Sequence, residues 1–436
     1  MINMVDFTGK KLLIMGANPE TAEIVKIANA MGIYTIVTDY IPNSPAKSVA
    51  SKSYDIDCLD VQALVSLAKE EEVDGVLVGV ADVLLPYYQQ VCEILELPCY
   101  CTREQITILS NKDLFKRTCK KYGILGIPEY HLSPNPTDNE LKEIIYPVLV
   151  KPVDNCSGKG MTVCYNESEL KPALKKGLSY SRAGKVLIER FMTCDDFIIY
   201  YTFKDGYYSV SMLGDRYTCT TQKGVSPVCL ADVYPSKYSD LYFRTMHEKA
   251  CRMFHDLGIS DGVFLIQAFI ENDDIYVYDP GFRLQGGAQH LVINAVHGFD
   301  QRKMLIEFAL TGSMGPVDLR IDDDYQLRGK TAGSIWFLLK EGVISKIMGI
   351  ESLHDDSRIV NVLQRFTIGD EILPEMIGTE QQVFARIHVV CNSREEYVNI
   401  VNELEESIHV ISETGDDMIV PGVDVSVFMN NEMWTN

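Results

Sequence analysis

The chain has 436 residues, a formal net charge of −21, 46% hydrophobic and 23% charged residues. That length carries about two to four domains with proper cores, and the acidity argues against a nucleic-acid partner, which needs a basic face for phosphates. With no apolar run of membrane-spanning length, no charged-then-apolar leader and twelve scattered cysteines without a C-x-x-C pair, the expectation is a cytoplasmic protein with no membrane contact, no zinc site and no disulfide framework.

The first hundred residues alternate strand and helix. Lys11-Leu-Leu-Ile-Met15 and Tyr34-Thr-Ile-Val-Thr-Asp39 read as buried strands, and between them Ile24, Ile27, Ala28 and Met31 share a helical face. Val61, Leu64, Val65 and Ala68 mark a second helix, and Asp74-Gly-Val-Leu-Val-Gly-Val80 a third strand. This predicts a doubly wound parallel-sheet domain over residues 1–105. Asp39 stands where a dinucleotide-binding carboxylate would, yet the turn Gly16-Ala-Asn-Pro-Glu20 has one glycine where that fingerprint needs three. A structural turn is the better reading, and a nicotinamide oxidoreductase the weaker one.

From residue 106 the pattern changes. Ser110-Asn-Lys112 through Gly123 reads as a capped helix, and Leu132-Ser-Pro-Asn-Pro136 as punctuation. Tyr146-Pro-Val-Leu-Val-Lys151 then brings a lysine to a strand end, ahead of Ser157-Gly158-Lys159-Gly160 and a second strand from Met161. Glycines let backbone N–H groups approach phosphate oxygens and the lysine adds a point charge. The loop is not a Walker A motif, and Ser-Gly-Lys-Gly also suits an ordinary hairpin turn. Strands follow at Lys185–Phe191, Phe197–Gly206, Val263–Ile270 and Asp274–Asp279, the last two forming a hairpin across Asn272-Asp273. The final segment, 319–436, is expected to be a small mixed α+β domain. It carries a hairpin over Trp336–Met348, a strand Val383–Val390 and a helix from Ser393 to Ile408.

Taken together, Lys112, Lys151 with its glycine loop, Glu189 to Asp196, and Gln267, Asp279 and Arg283 resemble, in order and spacing, the ATP-grasp superfamily of biotin carboxylase, carbamoyl-phosphate synthetase and purine-pathway ligases. The resemblance covers nearly the whole chain. It implies a two-lobed ATP-grasp domain over 106–318, with a glycine-loop lobe at about 120–188. It also implies that Lys112, Lys151, Ser157, Gly158 and Gly160 hold the phosphates, with Lys159 facing solvent. Glu189, Arg190, Phe191 and Met192 would form the adenine-reading hinge, and Asp196, or its neighbour Asp195, would take ribose hydroxyls.

The family places carboxylates and an asparagine at a Mg²⁺ site (Mn²⁺ being an alternative); here Gln267, Asp279 and Gly281 stand there. Amide and carboxylate oxygens are both hard ligands, but one negative charge and one side-chain ligand are missing, and Glu271 is a possible helper. Arg283 would neutralise charge on a carboxyl or acyl phosphate, with Lys151 assisting. Arg216 and His290 are weaker substrate-side candidates, the former on a connection through Gly214–Tyr217 and Ser226–Ser236. His247, His255 and His388 read as packing or surface residues. The implied activity is ATP-dependent carboxylate–amine ligation (or carboxylate–thiol ligation) through an acyl phosphate, releasing ADP and phosphate, on small-molecule substrates and with a homodimer expected. A dipeptide or amino-acid ligase is the leading guess. The competing reading is a nucleotide-binding module without catalysis, serving as a regulatory or partner subunit.

Overall fold

A computed structural model describes residues 6–132, 137–153, 159–220, 223–225 and 227–429. Ser157 and Gly158 of the glycine loop, the punctuation at 133–136 and Ser226 lie outside the described residues.

Four parallel strands open the chain: β1 (Lys11–Met15), β2 (Tyr34–Thr38), β3 (Lys52–Tyr54) and β4 (Gly75–Val78), in spatial order β3-β2-β1-β4. A parallel sheet is covered on both faces, hence its continuous apolar runs; Leu12, Leu13, Ile14 and Met15 are all fully buried. The helix Pro19–Ala30 starts with Asn18 capping the Thr21 N–H and lays Ile24, Val25 and Ala28 into the core. Sequence reasoning missed β3, a three-residue polar edge strand. At the turn after β1, Gly16 takes φ +90°, and Asp39 accepts from the N–H groups of Ala17 (3.1 Å) and Ile41 (2.9 Å). Asp39 therefore braces its own turn, in keeping with the structural reading of that glycine.

β5 (Leu125–Gly126) leads to a small lobe in which β6 (Val148–Pro152) lies between β7 (Thr162–Cys164) and β8 (Val186–Arg190), antiparallel to both. Val148, Val150, Leu170, Ala173 and Ile188 give it a core of its own. Gly160 has φ +77°, and a Cβ there would meet Tyr180 at 2.6 Å and Pro152 at 2.9 Å, so only glycine fits.

The long strands follow: β9 (Asp195–Lys204), β10 (Tyr207–Cys219), β11 (Val228–Tyr234), β12 (Gly262–Glu271), β13 (Asp274–Gly281), β14 (Thr331–Leu338), β15 (Gly342–Met348), β16 (Ile359–Gln364), β17 (Glu371–Ile372), β18 (Val383–Cys391) and β19 (His409–Ser412). One nine-stranded sheet runs β16-β18-β14-β11-β10-β9-β12-β13-β5, so strands from residues 319–436 extend the sheet begun before them. The stretch expected as a substrate-facing connection is made of β10 and β11, two strands of that sheet.

The expected Trp336–Met348 hairpin does not form. β14 is buried along its whole length and takes β11 and β18 as neighbours, while β15 turns away to pair with β17 and β19. The connecting residues bond elsewhere, Leu339 N–H to Gln382 and Lys340 N–H to Met418. A strand covered on both faces needs sheet partners on both edges, and the half-exposed β15 cannot supply one of them.

The front sheet docks closely on the rest. A Cβ at Gly75 would lie 2.3 Å from the Ala309 carbonyl on the helix Gln301–Thr311.

Candidate active site

A cleft of about 1100 Å³ lies where the front sheet, the small lobe and the long sheet meet. At one end β6 delivers Lys151 and β8 delivers Glu189, diagonal neighbours on paired strands, since Lys151 faces Leu187 and Glu189 faces Leu149. Lys151 Nζ is 2.6 Å from Glu189, Lys116 Nζ is 2.5 Å from its other oxygen, and Lys116 also pairs with Glu129. All three of Lys151, Lys116 and Glu189 are buried. Burial alone would raise the Glu189 pKa, yet the charges of Lys151 and Lys116 hold it below the ordinary carboxylate value. Burial lowers Lys116 against the pull of Glu189. The Glu189 carboxylate is thus committed to two lysines. Lys116 was not foreseen; its signal is the helical spacing of four from Lys112, which puts both lysines on one face.

Arg190, Phe191 and Met192 line the same end. Arg190 turns outward to Glu271 (2.6 Å) and to the Met192 sulfur (3.0 Å), while the Phe191 N–H donates to the Pro147 carbonyl. The Arg190–Glu271 pair also removes Glu271 as a metal helper. It sits opposite Asp274 at the far end of the β12–β13 hairpin, four residues beyond Gln267.

Gln267 and Asp279 face each other across β12 and β13, at the point where a bulge interrupts the register. Lys112, the first residue of the helix Lys112–Lys121, places Nζ 2.8 Å from Asp279. Both residues line the cleft and offer one carboxylate and one amide oxygen. Among the described residues no cluster of three or more His, Cys, Asp or Glu is arranged to hold a metal alone. The donor set suits Mg²⁺, which keeps waters and substrate phosphates in its shell and binds through one or two protein oxygens.

Two substrate-side expectations change. Arg216, Asp196 and Asp232 lie side by side on β10, β9 and β11. Arg216 pairs with Asp196 at 3.0 Å and Asp232 at 3.4 Å, and Tyr278 OH donates to Asp196 at 3.0 Å. Burial raises Asp196 to about 6 against the pull of Arg216. The arginine is already neutralised by two buried acids, so it does not present an unbalanced charge to a substrate. Asp196 is likewise engaged, which works against a ribose role, and Asp195 bonds Tyr238 and Lys237 instead. His290 begins the helix His290–His297 and faces a small internal cavity behind Arg283. Burial, with Arg302 adding to it, pulls its pKa to about 3, so it is a neutral core residue and does not line the cleft.

Arg283 follows β13 and lines the cleft, ion-paired with Asp82 from the segment after β4 and donating to the Leu284 carbonyl at 2.8 Å. The far end adds Glu20, Trp336, Arg365 and Glu380. Arg365 donates to the Glu380 carbonyl at 2.8 Å and lies 4.0 Å from Glu20. Behind them Arg386 stacks 4.1 Å over Trp336 and donates to the Gly286 carbonyl at 3.0 Å, and His388 Nε2 donates to the Gly287 carbonyl at 2.6 Å. β18 therefore fixes the loop that follows Arg283. None of these far-end residues was foreseen. Asp82 could have been, since ligands in open α/β sheets gather beyond the carboxyl ends of parallel strands. Lys159 is exposed, as expected.

Residues 111–314 match the family described as carbamoyl-phosphate synthase L chain, ATP binding domain. Among curated proteins the chain is similar to the formate-dependent phosphoribosylglycinamide formyltransferases of Sulfurisphaera tokodaii (25% identical over 284 residues) and Proteus mirabilis (27% over 281). Each match covers 61% of this chain, which spans about two thirds of those proteins, 68% and 66%. Among solved structures, the L-amino acid ligase of Bacillus licheniformis superposes with TM-score 0.74 at 20% identity, over 93% of this chain and 99% of that one. Phosphoribosylglycinamide synthetase of Anaerococcus prevotii gives 0.70 at 17%, covering 93% and 100%. The biotin carboxylase domain dimer of Hydrogenobacter thermophilus 2-oxoglutarate carboxylase, solved with MgADP and bicarbonate, gives 0.71 at 17%, covering 94% and 91%. No helix among the described residues is long and apolar enough to cross a membrane. Residues 111–314 thus carry an ATP binding domain of this family, and the fold and relatives around it are those of the ATP-grasp superfamily of ATP-dependent ligases.

Proposed function

We propose that this protein joins a small carboxylate to an amine at the expense of ATP, through an acyl phosphate. The observation that carries the reading is one cleft lined both by lysines with a hard-oxygen pair and by Arg283 with further paired acids and arginines. The backbone of Glu189–Met192 holds the adenine, and Lys112 and Lys151 hold the phosphates, with Ser157, Gly158 and Gly160 assigned to them by the resemblance alone. Asp279 and Gln267 hold Mg²⁺, or Mn²⁺, which supplies charge neutralisation at the phosphates.

Arg283 takes the carboxylate as its oxygen attacks the terminal phosphorus, whose bond to the bridging oxygen breaks to release ADP, and then the charge of the acyl phosphate. Glu20, Asp82 and Glu380 suit the cationic end of an amine, which loses its proton before attacking the acyl carbon and displacing phosphate. Catalysis is mainly positioning and neutralisation, with the small lobe shielding the acyl phosphate from water. A cytoplasmic homodimer completes the reading, tested by light scattering of the purified chain. The reading predicts ADP release that depends on both a carboxylate and an amine from a substrate panel. Protein that binds no ATP, or binds it and turns over with no pair, would sink it.

One observation favours nucleotide binding without turnover: Lys112 already occupies the single carboxylate opposite Gln267. Tight ATP binding with no ADP release across the panel is the outcome that reading requires.

A further inference from the structure

Three thiols meet behind the cleft. Cys92 lies in the helix Leu85–Leu95, and Cys99 and Cys101 in the link from it to the helix Arg103–Leu109. Cys99 Sγ is 3.8 Å from Cys101 Sγ. Cys99 is half-buried, whereas Cys92 and Cys101 are buried. When protonated, Cys99 donates to the Cys101 carbonyl at 3.1 Å. When ionised, it accepts from Cys101 and Cys92, and those hydrogen bonds pull its pKa down to about 4 while raising both partners. A half-buried sulfur with thiolate character 3.8 Å from a second sulfur is the arrangement of an oxidisable pair.

Tyr100, between the two cysteines, connects them to the cleft. Its ring meets Phe282 edge-on at 5.3 Å and Tyr88 at 5.5 Å, and its hydroxyl donates to the Phe282 carbonyl at 3.3 Å. Phe282 directly precedes Arg283. The packing has no slack: a Cβ at Gly262 would lie 3.0 Å from Phe282 and 3.1 Å from Tyr100.

We propose that Cys99 and Cys101 form a dithiol site that hydroperoxides oxidise to a disulfide, and that this bond displaces Tyr100 from Phe282 and slows the reaction at Arg283. The Cys99 thiolate attacks the terminal peroxide oxygen, the O–O bond breaks, and a sulfenic acid and an alcohol (water, from hydrogen peroxide) result. The Cys101 sulfur then attacks the Cys99 sulfur, and hydroxide leaves with the Cys101 proton as water. Two thiols and one hydroperoxide give one disulfide, one alcohol and one water. The sulfur separation must shrink from 3.8 Å to about 2.05 Å, and Tyr100 is the residue spanned by that closure.

The effect on turnover rests on the ligase reading, but formation of the bond does not, so the two are measured separately. The full chain is treated with hydrogen peroxide, and its cysteine peptides are mapped by mass spectrometry alongside ADP release and near-ultraviolet circular dichroism. The expected result is loss of two hydrogens from the pair, restored by dithiothreitol. It occurs in the wild type and in Cys92→Ser but not in Cys101→Ser, where Cys99 over-oxidises instead. Turnover falls by roughly fivefold or more in the first two proteins and recovers on reduction. If the chain turns over no substrate, the reversible change in the tyrosine dichroism band reports displacement of Tyr100. A bond to Cys92, no bond at all, or a Cys99–Cys101 bond that alters neither turnover nor dichroism would overturn the proposal.

Discussion

The two ends of the cleft hold their charges in opposite ways. At the end proposed for the nucleotide, Lys151 and Lys116 are buried around a buried Glu189, all three contributed by the small lobe and the neighbouring helix. At the far end the pairs Arg283–Asp82 and Arg365–Glu20 join segments from across the chain, and their members keep partial contact with solvent. Buried charges cannot lose a partner cheaply, because desolvation is repaid only by pairing. Partly exposed pairs are worth little for stability and are available to exchange partners with a substrate. The nucleotide end is therefore built for rigidity, and the far end for exchange.

The contrast is most severely tested by removing one charge at each end. Glu189→Gln leaves two lysines without their shared acid, and unfolding stability should drop by about 3–5 kcal/mol in urea titrations. Lys151→Met leaves Glu189 paired with Lys116, so its stability should fall less while ADP release falls by roughly 10²–10³-fold. Equal stability losses in the two variants would break the asymmetry. At the far end Asp82→Asn should leave urea midpoints within about 0.5 kcal/mol of wild type and raise the KM of one substrate. Arg283→Ala, by contrast, should lower kcat by about 10²-fold or more.

A pH dependence sharpens the same comparison. His388, buried with its Nε2–H on the Gly287 carbonyl, has its pKa lowered from 6.5 to about 4 by burial. Its folded-state pKa lies below its unfolded value. The stability it contributes is therefore complete above about pH 6.5 and is lost as pH falls toward 4, because only the unfolded chain takes up the proton in that window. Between pH 7 and pH 5 wild type should lose about 2 kcal/mol through this group, and His388→Gln should lose none of it. Burial also raises Asp196, Asp215 and Asp323 to about 6. Those acids act oppositely, costing stability above pH 6 and returning it as pH falls. The measurement is accordingly the difference between wild type and variant at the two pH values, in which the shared acids cancel.

What could be read from the sequence follows the same division. Lys151, Glu189, Gln267 and Asp279 sit on strands within short windows, where apolar runs and turn residues fix their direction. The hairpin placing Gln267 opposite Asp279 was legible because β12 and β13 are joined by two residues, Asn272 and Asp273, both at positive φ. The far end draws on Glu20, Asp82, Arg365 and Glu380, which no local pattern links; only the docking of the front sheet and β18 brings them together. The mutual pairing of Asp196 and Arg216 was not legible for a related reason. Their cross-strand register, with Asp232 completing the triad, is a property of the nine-stranded sheet. Trp336–Met348 failed as a hairpin because both halves had better partners elsewhere, β14 with the earlier strand β11 and β15 with the later strand β19.

The smallest expected effect concerns the residue that separates the two readings of this protein. Gln267 stands opposite Asp279, and Lys112 lies 2.8 Å from that carboxylate. Gln267→Glu keeps the side-chain length and adds one negative charge, giving Lys112 a second acid and a divalent cation a second carboxylate. Affinity for hard cations rises with ligand charge, so the magnesium concentration for half-maximal ADP release should fall by about tenfold, with kcat changing less. That outcome means the wild-type pair already works with phosphate oxygens and water completing the shell. Activity appearing only in Gln267→Glu would mean instead that the missing charge had stopped turnover and that the natural chain binds its nucleotide without spending it. A magnesium titration of the two proteins side by side distinguishes these, because the first moves a midpoint and the second creates an amplitude.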